Sequence, residues 1–187
     1  MAFFPLETER LVLRAVTQAD AAAIADYQGR EDVARYVPWP PRSRQRVEEL
    51  IPRWMAMNGE GEGSEGVQYA IVLKADGCLI GDCMLMYGDR EARQGEIGYL
   101  LSPHHHGMGY GTEAARAMLK MGFETAGLHR IAARCDARNT ASWRVMEKLG
   151  MRREAHFREH ALFKGEWDEE LVYAMLEDEW RAGQGQN

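Results

Sequence analysis

Cysteine is scarce in this 187-residue chain. Its three thiols, Cys78, Cys83 and Cys135, form no C-x-x-C pair and are odd in number, which excludes a dense disulfide framework and a cysteine-based zinc site. That usage leads us to expect a reducing, cytoplasmic setting. No apolar run approaches the ~20 residues that span a bilayer, so no membrane segment is expected. No secretory leader is expected either, because Met1–Leu6 meets Glu7 before any apolar core forms. Excess positive charge is missing: 23 Lys and Arg face 29 Asp and Glu, a formal net charge of −6. A broad nucleic-acid surface is therefore not expected, although one local anion site built from backbone amides remains compatible. What is present is an ordinary globular composition, 45% hydrophobic and 28% charged, which excludes wholesale disorder. The length fits a single domain over 1–187. At this size roughly 70% of the unfolded surface can be buried, so neither disulfide nor metal is needed to hold the fold.

Hydrophobic periodicity gives the order of elements. Leu6–Val16 reads as one strand, and Thr17 and Asp20 offer N-cap chemistry for a helix over Ala21–Tyr27. A helical piece follows at Glu31–Tyr36, then a stiff loop of Pro38, Pro40 and Pro41 around Trp39. Ser43 opens a third helix, with Val47, Leu50, Ile51 and Trp54 at near-helical spacing. Asn58–Gly66 is glycine-rich and acidic, and reads as a mobile surface loop. Strands are expected at Val67–Lys74, Cys78–Tyr87 and Gly95–Ser102, a helix over Thr112–Thr125, and a strand over Leu128–Cys135. A short helix, Asn139–Leu149, stops at Gly150. Two last strands, Met151–Phe163 and Trp167–Leu176, flank a hairpin turn at Lys164-Gly165-Glu166, and the polar tail Glu177–Asn187 reads as frayed. This order gives a mixed sheet with helices, not an alternating βα ladder.

The stretch that carries chemistry is Glu96 to Thr112, EIGYLLSPHHHGMGYGT. A strand ends, the chain turns through Gly107, Gly109 and Gly111, and a helix begins. The first amides of a helix lack intrahelical acceptors, the helix dipole adds positive character, and glycines admit a close ligand. Together these make a phosphate cradle. It is not a P-loop, because Gly111-Thr112 lacks the lysine, and no βαβ unit supports a dinucleotide fingerprint. His106-Gly107-Met108-Gly109-Tyr110-Gly111 resembles the Q/R-x-x-G-x-G/A pattern of the GNAT superfamily of N-acetyltransferases, with His in the first position. Asn139-Thr140-Ala141-Ser142 and Glu147-Lys148-Leu149-Gly150-Met151 resemble its N-x-x-S…E-K-L-G-F element. Thr8-Glu9-Arg10-Leu11-Val12-Leu13-Arg14, Trp39 among prolines, and Lys164-Gly165-Glu166-Trp167 before a Tyr173-Ala174-Met175-Leu176 strand resemble the RimJ/RimL-like branch, which acetylates ribosomal-protein N-termini. The likeness runs from about Leu6 to Trp180.

The resemblance implies an α+β GNAT fold, with a mixed central sheet splayed at the acetyl-CoA site and flanked by helices. It implies an acetyl-CoA-dependent enzyme that moves an acetyl group directly to a primary amine, on a peptide or protein N-terminus or a small molecule, without a metal. His106, Gly107, Met108, Gly109, Tyr110, Gly111 and Thr112 are then expected to hold the pyrophosphate. The edge Tyr99-Leu100-Leu101 is expected to pair with the pantetheine arm, and Asn139 to bond that arm or shape its turn. An amine near pKa 10.4 is mostly protonated at neutral pH, so a base is needed. Glu96, directly or through water, is the first candidate, with Glu159 and His160 as alternatives. Ser142 is the candidate acid for the leaving sulfur, with Tyr173 as an alternative and helix capping as a competing role. Arg144 reads as a solvated residue or a phosphate contact. Adjacent His104, His105 and His106 seldom converge on one metal, and Cys135 reads as a small buried residue before an acyl-enzyme nucleophile. Trp39, the acidic loop with Glu60, Glu62 and Glu65, and the last hairpin are expected to border the acceptor entrance. A non-catalytic acyl-CoA-binding module is the competing function, and a homodimer is the family habit.

Overall fold

The computed structural model describes residues 3–57, 59 and 63–184. Within the expected acidic loop, position 58 and positions 60–62, with Glu60 and Glu62, fall outside the described residues. One eight-stranded mixed sheet dominates, in the order β1-β2-β3-β4-β5-β6-β8-β7. Its strands are β1 (Leu6–Glu7), β2 (Leu11–Ala15), β3 (Gly66–Leu73), β4 (Leu79–Tyr87), β5 (Gln94–Leu101), β6 (Arg130–Asp136), β7 (Arg152–Phe163) and β8 (Glu166–Leu176). Among the described residues, no helix is long and apolar enough to cross a membrane.

The two faces of the sheet are covered by different parts of the chain. Helices α1 (Ala21–Gln28), α2 (Glu31–Ala34) and α3 (Arg44–Ala56) lie on one face. There Ile24, Tyr27, Val47 and Ile51 pack on Ala70, Val72 and Leu100. Helices α4 (Tyr110–Lys120) and α5 (Thr140–Lys148) lie on the other. There Ala114, Met118 and Met146 meet Leu13, Ile71, Leu85, Ile97 and Tyr173. Side chains alternate along a strand, so Leu100, Gly98 and Glu96 look to the α1 side while Tyr99 and Ile97 look to the α4 side.

Most expected elements are present, with three differences. Leu6–Val16 is a hairpin of two strands, because the Thr8 amide donates to Leu11 O at 3.0 Å and the Leu11 amide to Thr8 Oγ1 at 2.9 Å. The long helix does not run evenly to Thr125. It becomes a π-helical turn at Met121–Thr125, where Gly122 lies so close to β6 that a Cβ would stand 2.5 Å from Ile131 Cδ1. The tail is helix α6 (Glu177–Gln184), not frayed chain. Trp180 anchors it, stacking on Phe123 at 5.8 Å and donating Nε1–H to Glu124 at 3.1 Å. Capping at Ser43, whose Oγ accepts from the Arg46 amide at 3.2 Å, follows the sequence reading. The hairpin turn is present but tighter than expected: Lys164 and Gly165 form it, both at positive φ, and Glu166 already belongs to β8.

The strand pairing opens in the middle of the sheet. Parallel β5 and β6 pair only at Gln94–Arg130, Gly95–Ile131 and Glu96–Ala132. Beyond Glu96, β5 continues to Leu101 paired to β4 alone, while β6 continues to Asp136 paired to β8. This divergence is the splay that the family resemblance implied.

Candidate active site

The loop after β5 approaches the splay from the α4 side. Gly107 and Gly109 have φ of +76° and +84°, a region that residues with a Cβ rarely adopt. Gly109 is the N-cap of α4, and the first ladder bond runs from the Glu113 amide to Gly109 O at 3.1 Å. The amides of Tyr110, Gly111 and Thr112 precede that ladder and have no acceptor within it. His106 takes a structural part: its Nε2 lies 3.0 Å from Leu101 O. A carbonyl only accepts, so Nε2 carries the hydrogen, and the ring ties the loop to the end of β5. Met108 is exposed.

A residue that sequence reasoning gave no role braces this loop. Arg10, in the β1–β2 turn, donates Nη1–H to Met108 O at 3.0 Å and Nε–H to Glu113 at 2.7 Å, and lies over the Tyr110 ring at 4.5 Å. Thr8 Oγ1 and the Arg10 amide complete the grip on Glu113, at 2.6 and 2.8 Å. Burial opposes the Glu113 charge, but these donors outweigh it and lower its pKa. The T-E-R-L run carried the signal only as a family likeness.

On the same face, α5 begins at the mouth of the splay. Asn139 is its N-cap, its Oδ1 accepting from the Ser142 amide at 3.2 Å. Asn139 therefore shapes the turn, and Ser142 is spared the capping role. The Ser142 hydroxyl instead lies 3.2 Å from Tyr99 Oη, which is also 2.9 Å from Ser142 O. Cys135, at the end of β6, is beside them. Burial pushes its thiol up to about 11, with Ser142 pulling the other way, so at neutral pH it is not the thiolate an acyl-enzyme route needs. Tyr173 is buried and donates to Glu147 on α5 at 3.1 Å. Arg144 is exposed, with its guanidinium over the Trp143 ring at 5.6 Å.

The opposite face of the splay is built from charged side chains. Glu96 accepts from Arg134 Nε at 3.0 Å, and Arg134 Nη1 reaches Glu170 at 3.3 Å. His160 continues the chain, 3.8 Å from Glu170 and 3.2 Å from Asp168. Burial works against the Arg134 charge, but Glu96 and Glu170 prevail and raise its pKa. Glu159 stands exposed at a bulge in β7 with φ of +49°. Further along the same face, Asp82 of β4 accepts from Tyr27, from Gln28 at 2.8 Å and from Gln68 at 3.0 Å. Arg42 joins by donating to Gln28 at 2.8 Å, its guanidinium 3.9 Å from the Trp39 ring and 5.6 Å from Trp54. The Trp39 loop is thus fastened to the α1 face of the sheet. Lys164 of the β7–β8 turn donates to Ala34 O at the end of α2. Among the described residues, no three His, Cys, Asp or Glu side chains gather to hold a metal.

The splayed parallel pair thus has a glycine turn and helix start on one face and a charged side-chain network on the other. Residues 10–152 match the acetyltransferase (GNAT) domain family. The chain belongs to the GNAT family. It is 33% identical to the N-acetyltransferase YnaD of Bacillus subtilis (strain 168), over 94% of this chain and 98% of that one. It is 26% identical to the alanine N-acetyltransferase of ribosomal protein uS5 from Escherichia coli (strain K12), over 95% and 93% of the two chains. The crystal structure of a GNAT acetyltransferase from Bacillus anthracis superposes with a TM-score of 0.83 at 32% identity, covering 94% of this chain and 99% of that one. This GNAT chain is accordingly an N-acetyltransferase, of a family that draws acetyl groups from acetyl-CoA. The resemblance to the branch that acetylates ribosomal proteins stands with these relatives.

Proposed function

We propose that the enzyme binds acetyl-CoA through the cradle Gly107–Thr112 and acetylates a primary amine that enters from the α1 side. The observation that carries this reading is the end of the β5–β6 ladder at Glu96–Ala132, with the cradle on one side of the opening and a carboxylate on the other. First-turn amides and a positive helix end suit a pyrophosphate. The unpaired side of β5 along Tyr99 and Leu100 offers backbone groups to an amide-bearing arm, while Leu101 O already accepts from His106.

Glu96 and Ser142 then bracket the gap from opposite faces. The acceptor arrives as an ammonium and must lose its proton before its nitrogen attacks the thioester carbonyl. Glu96, directly or through a water it orients, takes that proton. Because Arg134 holds the Glu96 carboxylate at rest, the incoming amine competes with the guanidinium for it. Ser142 directs its hydroxyl hydrogen to the departing sulfur. The amine class is that of a peptide N-terminus or a small cationic amine, in keeping with the acidic chain Glu96–Arg134–Glu170–His160–Asp168 along the α1 face.

The test is thiol release from acetyl-CoA across peptide N-termini, polyamines and amino sugars, with a no-acceptor control for the protein's own three cysteines. Acceptor-dependent release is expected. Tight calorimetric binding of acetyl-CoA without release on any amine would leave a binding module instead. No binding would sink the cradle assignment.

A further inference from the structure

The Tyr99 hydroxyl touches two oxygens of one residue, Ser142 O at 2.9 Å and Ser142 Oγ at 3.2 Å. A tyrosine hydroxyl has one hydrogen, and a carbonyl has none to give. The Tyr99 hydrogen therefore goes to Ser142 O. The second contact has to run the other way, from Ser142 Oγ–H to Tyr99 Oη. At rest, then, the serine hydrogen is spent on Tyr99 and is not free for the sulfur. Tyr99 keeps its own hydrogen, because burial raises its pKa more than the Ser142 contact lowers it.

We propose that Tyr99 is a positioning residue for Ser142, and that the two hydroxyls work in sequence as a donor chain. The Tyr99 hydrogen turns from Ser142 O to Ser142 Oγ, which releases the serine hydrogen to point at the departing sulfur. The proposal rests on the role given to Ser142 above. Both movements are rotations about single C–O bonds, and no covalent bond in the protein changes. When the C–S bond of the thioester breaks, its electron pair goes to sulfur. Free thiols titrate near 8.5, so the sulfur can leave as a thiolate held by the serine hydrogen bond and take its proton from solvent afterwards. Serial donation polarises each hydroxyl and strengthens the terminal bond. The arrangement also links β5 to the start of α5 across the splay, so the donor is fixed relative to both strands that diverge there.

A double-mutant cycle tests this, with thiol-release kinetics and acetyl-CoA calorimetry on the intact chain. Ser142→Ala is expected to lower kcat about a hundredfold. Tyr99→Phe is expected to lower it about tenfold, with acetyl-CoA affinity unchanged. The double variant should be no slower than Ser142→Ala alone, because the tyrosine acts only through the serine. Fluorotyrosine at position 99 keeps the hydroxyl and donates more strongly, and is expected to hold kcat at or above the parent value even if Tyr99→Phe folds poorly. Independent, multiplying losses would overturn the proposal. So would a Tyr99→Phe effect confined to acetyl-CoA affinity, a Tyr99→Phe enzyme as fast as the parent, or a slow fluorotyrosine enzyme. If Ser142→Ala itself retains full activity, the role given to Ser142 fails first and the proposal falls with it.

Discussion

The two sides of the splay are made of different material. On the α4 side the loop after β5 presents backbone, the first-turn amides after Gly107 and Gly109, with Arg10 and His106 spent on holding the loop in place and the Tyr99 and Ser142 hydroxyls paired with each other at the start of α5. The α1 side presents side chains: Glu96 and Glu170 joined through Arg134, with His160 3.8 Å from Glu170. A backbone site can be set by a few consecutive residues whose dihedrals are fixed. A side-chain site has to be collected from strands far apart in sequence. In the function proposed above, the backbone side takes the cosubstrate's pyrophosphate and the side-chain side takes the amine.

That contrast would break most visibly at Glu96. Glu96→Gln is expected to lower kcat about a hundredfold, the usual weight of a positioned base. Calorimetric affinity for acetyl-CoA should not move; if it does, the two sides are not separate devices. The mirror experiment is Gly109→Val. A left-handed residue with a Cβ costs about 1–2 kcal/mol, so acetyl-CoA should bind about tenfold more weakly while kcat at saturation is retained. Arg10→Met, which releases the brace but leaves the glycines, should weaken acetyl-CoA only about threefold, the scale of an exposed ion pair.

The smallest effect sharpens the contrast through pH. The Glu113 pKa is lowered on the α4 side, and burial raises that of Asp82 on the α1 side. Glu113 therefore contributes stability above its unfolded value near 4.5 and loses it as pH falls through the folded pKa. Asp82 has the opposite sign. Its contribution is complete below the unfolded value near 3.9 and is lost as pH rises through the raised folded pKa. Melting curves taken across acidic pH should show Glu113→Gln removing part of the loss of stability on acidification. Asp82→Asn should steepen that loss. Equal effects of the same sign would refute the assignment.

What could be read from the sequence follows the same division. The glycine run and the Gly150 stop are local, and each lies where its chemistry indicated, whereas the helix cap expected at Ser142 belongs to Asn139, three residues earlier. That the central strands splay followed from the family likeness, whereas the strand order and the divergence beyond Glu96–Ala132 needed the structure, since both depend on pairings between strands far apart in the chain. Arg10 was invisible as a brace because Glu113 is 103 residues away. Glu96 was legible as a candidate, yet its restraint by Arg134, 38 residues on, was not. The tail was misread because a polar octet looks solvated until its one indole meets Phe123. The first strand was misread because a side-chain bond at Thr8 turns the chain within an otherwise β-forming run.

The outermost strand has a bearing on life in a crowded cell. β7 closes one end of the sheet and is exposed along nearly its whole length, so its outer rim offers unpaired backbone groups to any neighbouring chain. Its composition answers that hazard. Arg152, Arg153, Glu154, Arg158 and Glu159 punctuate the strand, and the bulge at Glu159 bends it out of line. Exposed Phe157 and Leu162 are thereby kept from forming a smooth, sticky ribbon. The charges on β7 act as gatekeepers of colloidal behaviour, letting a long open edge persist without seeding fibrils.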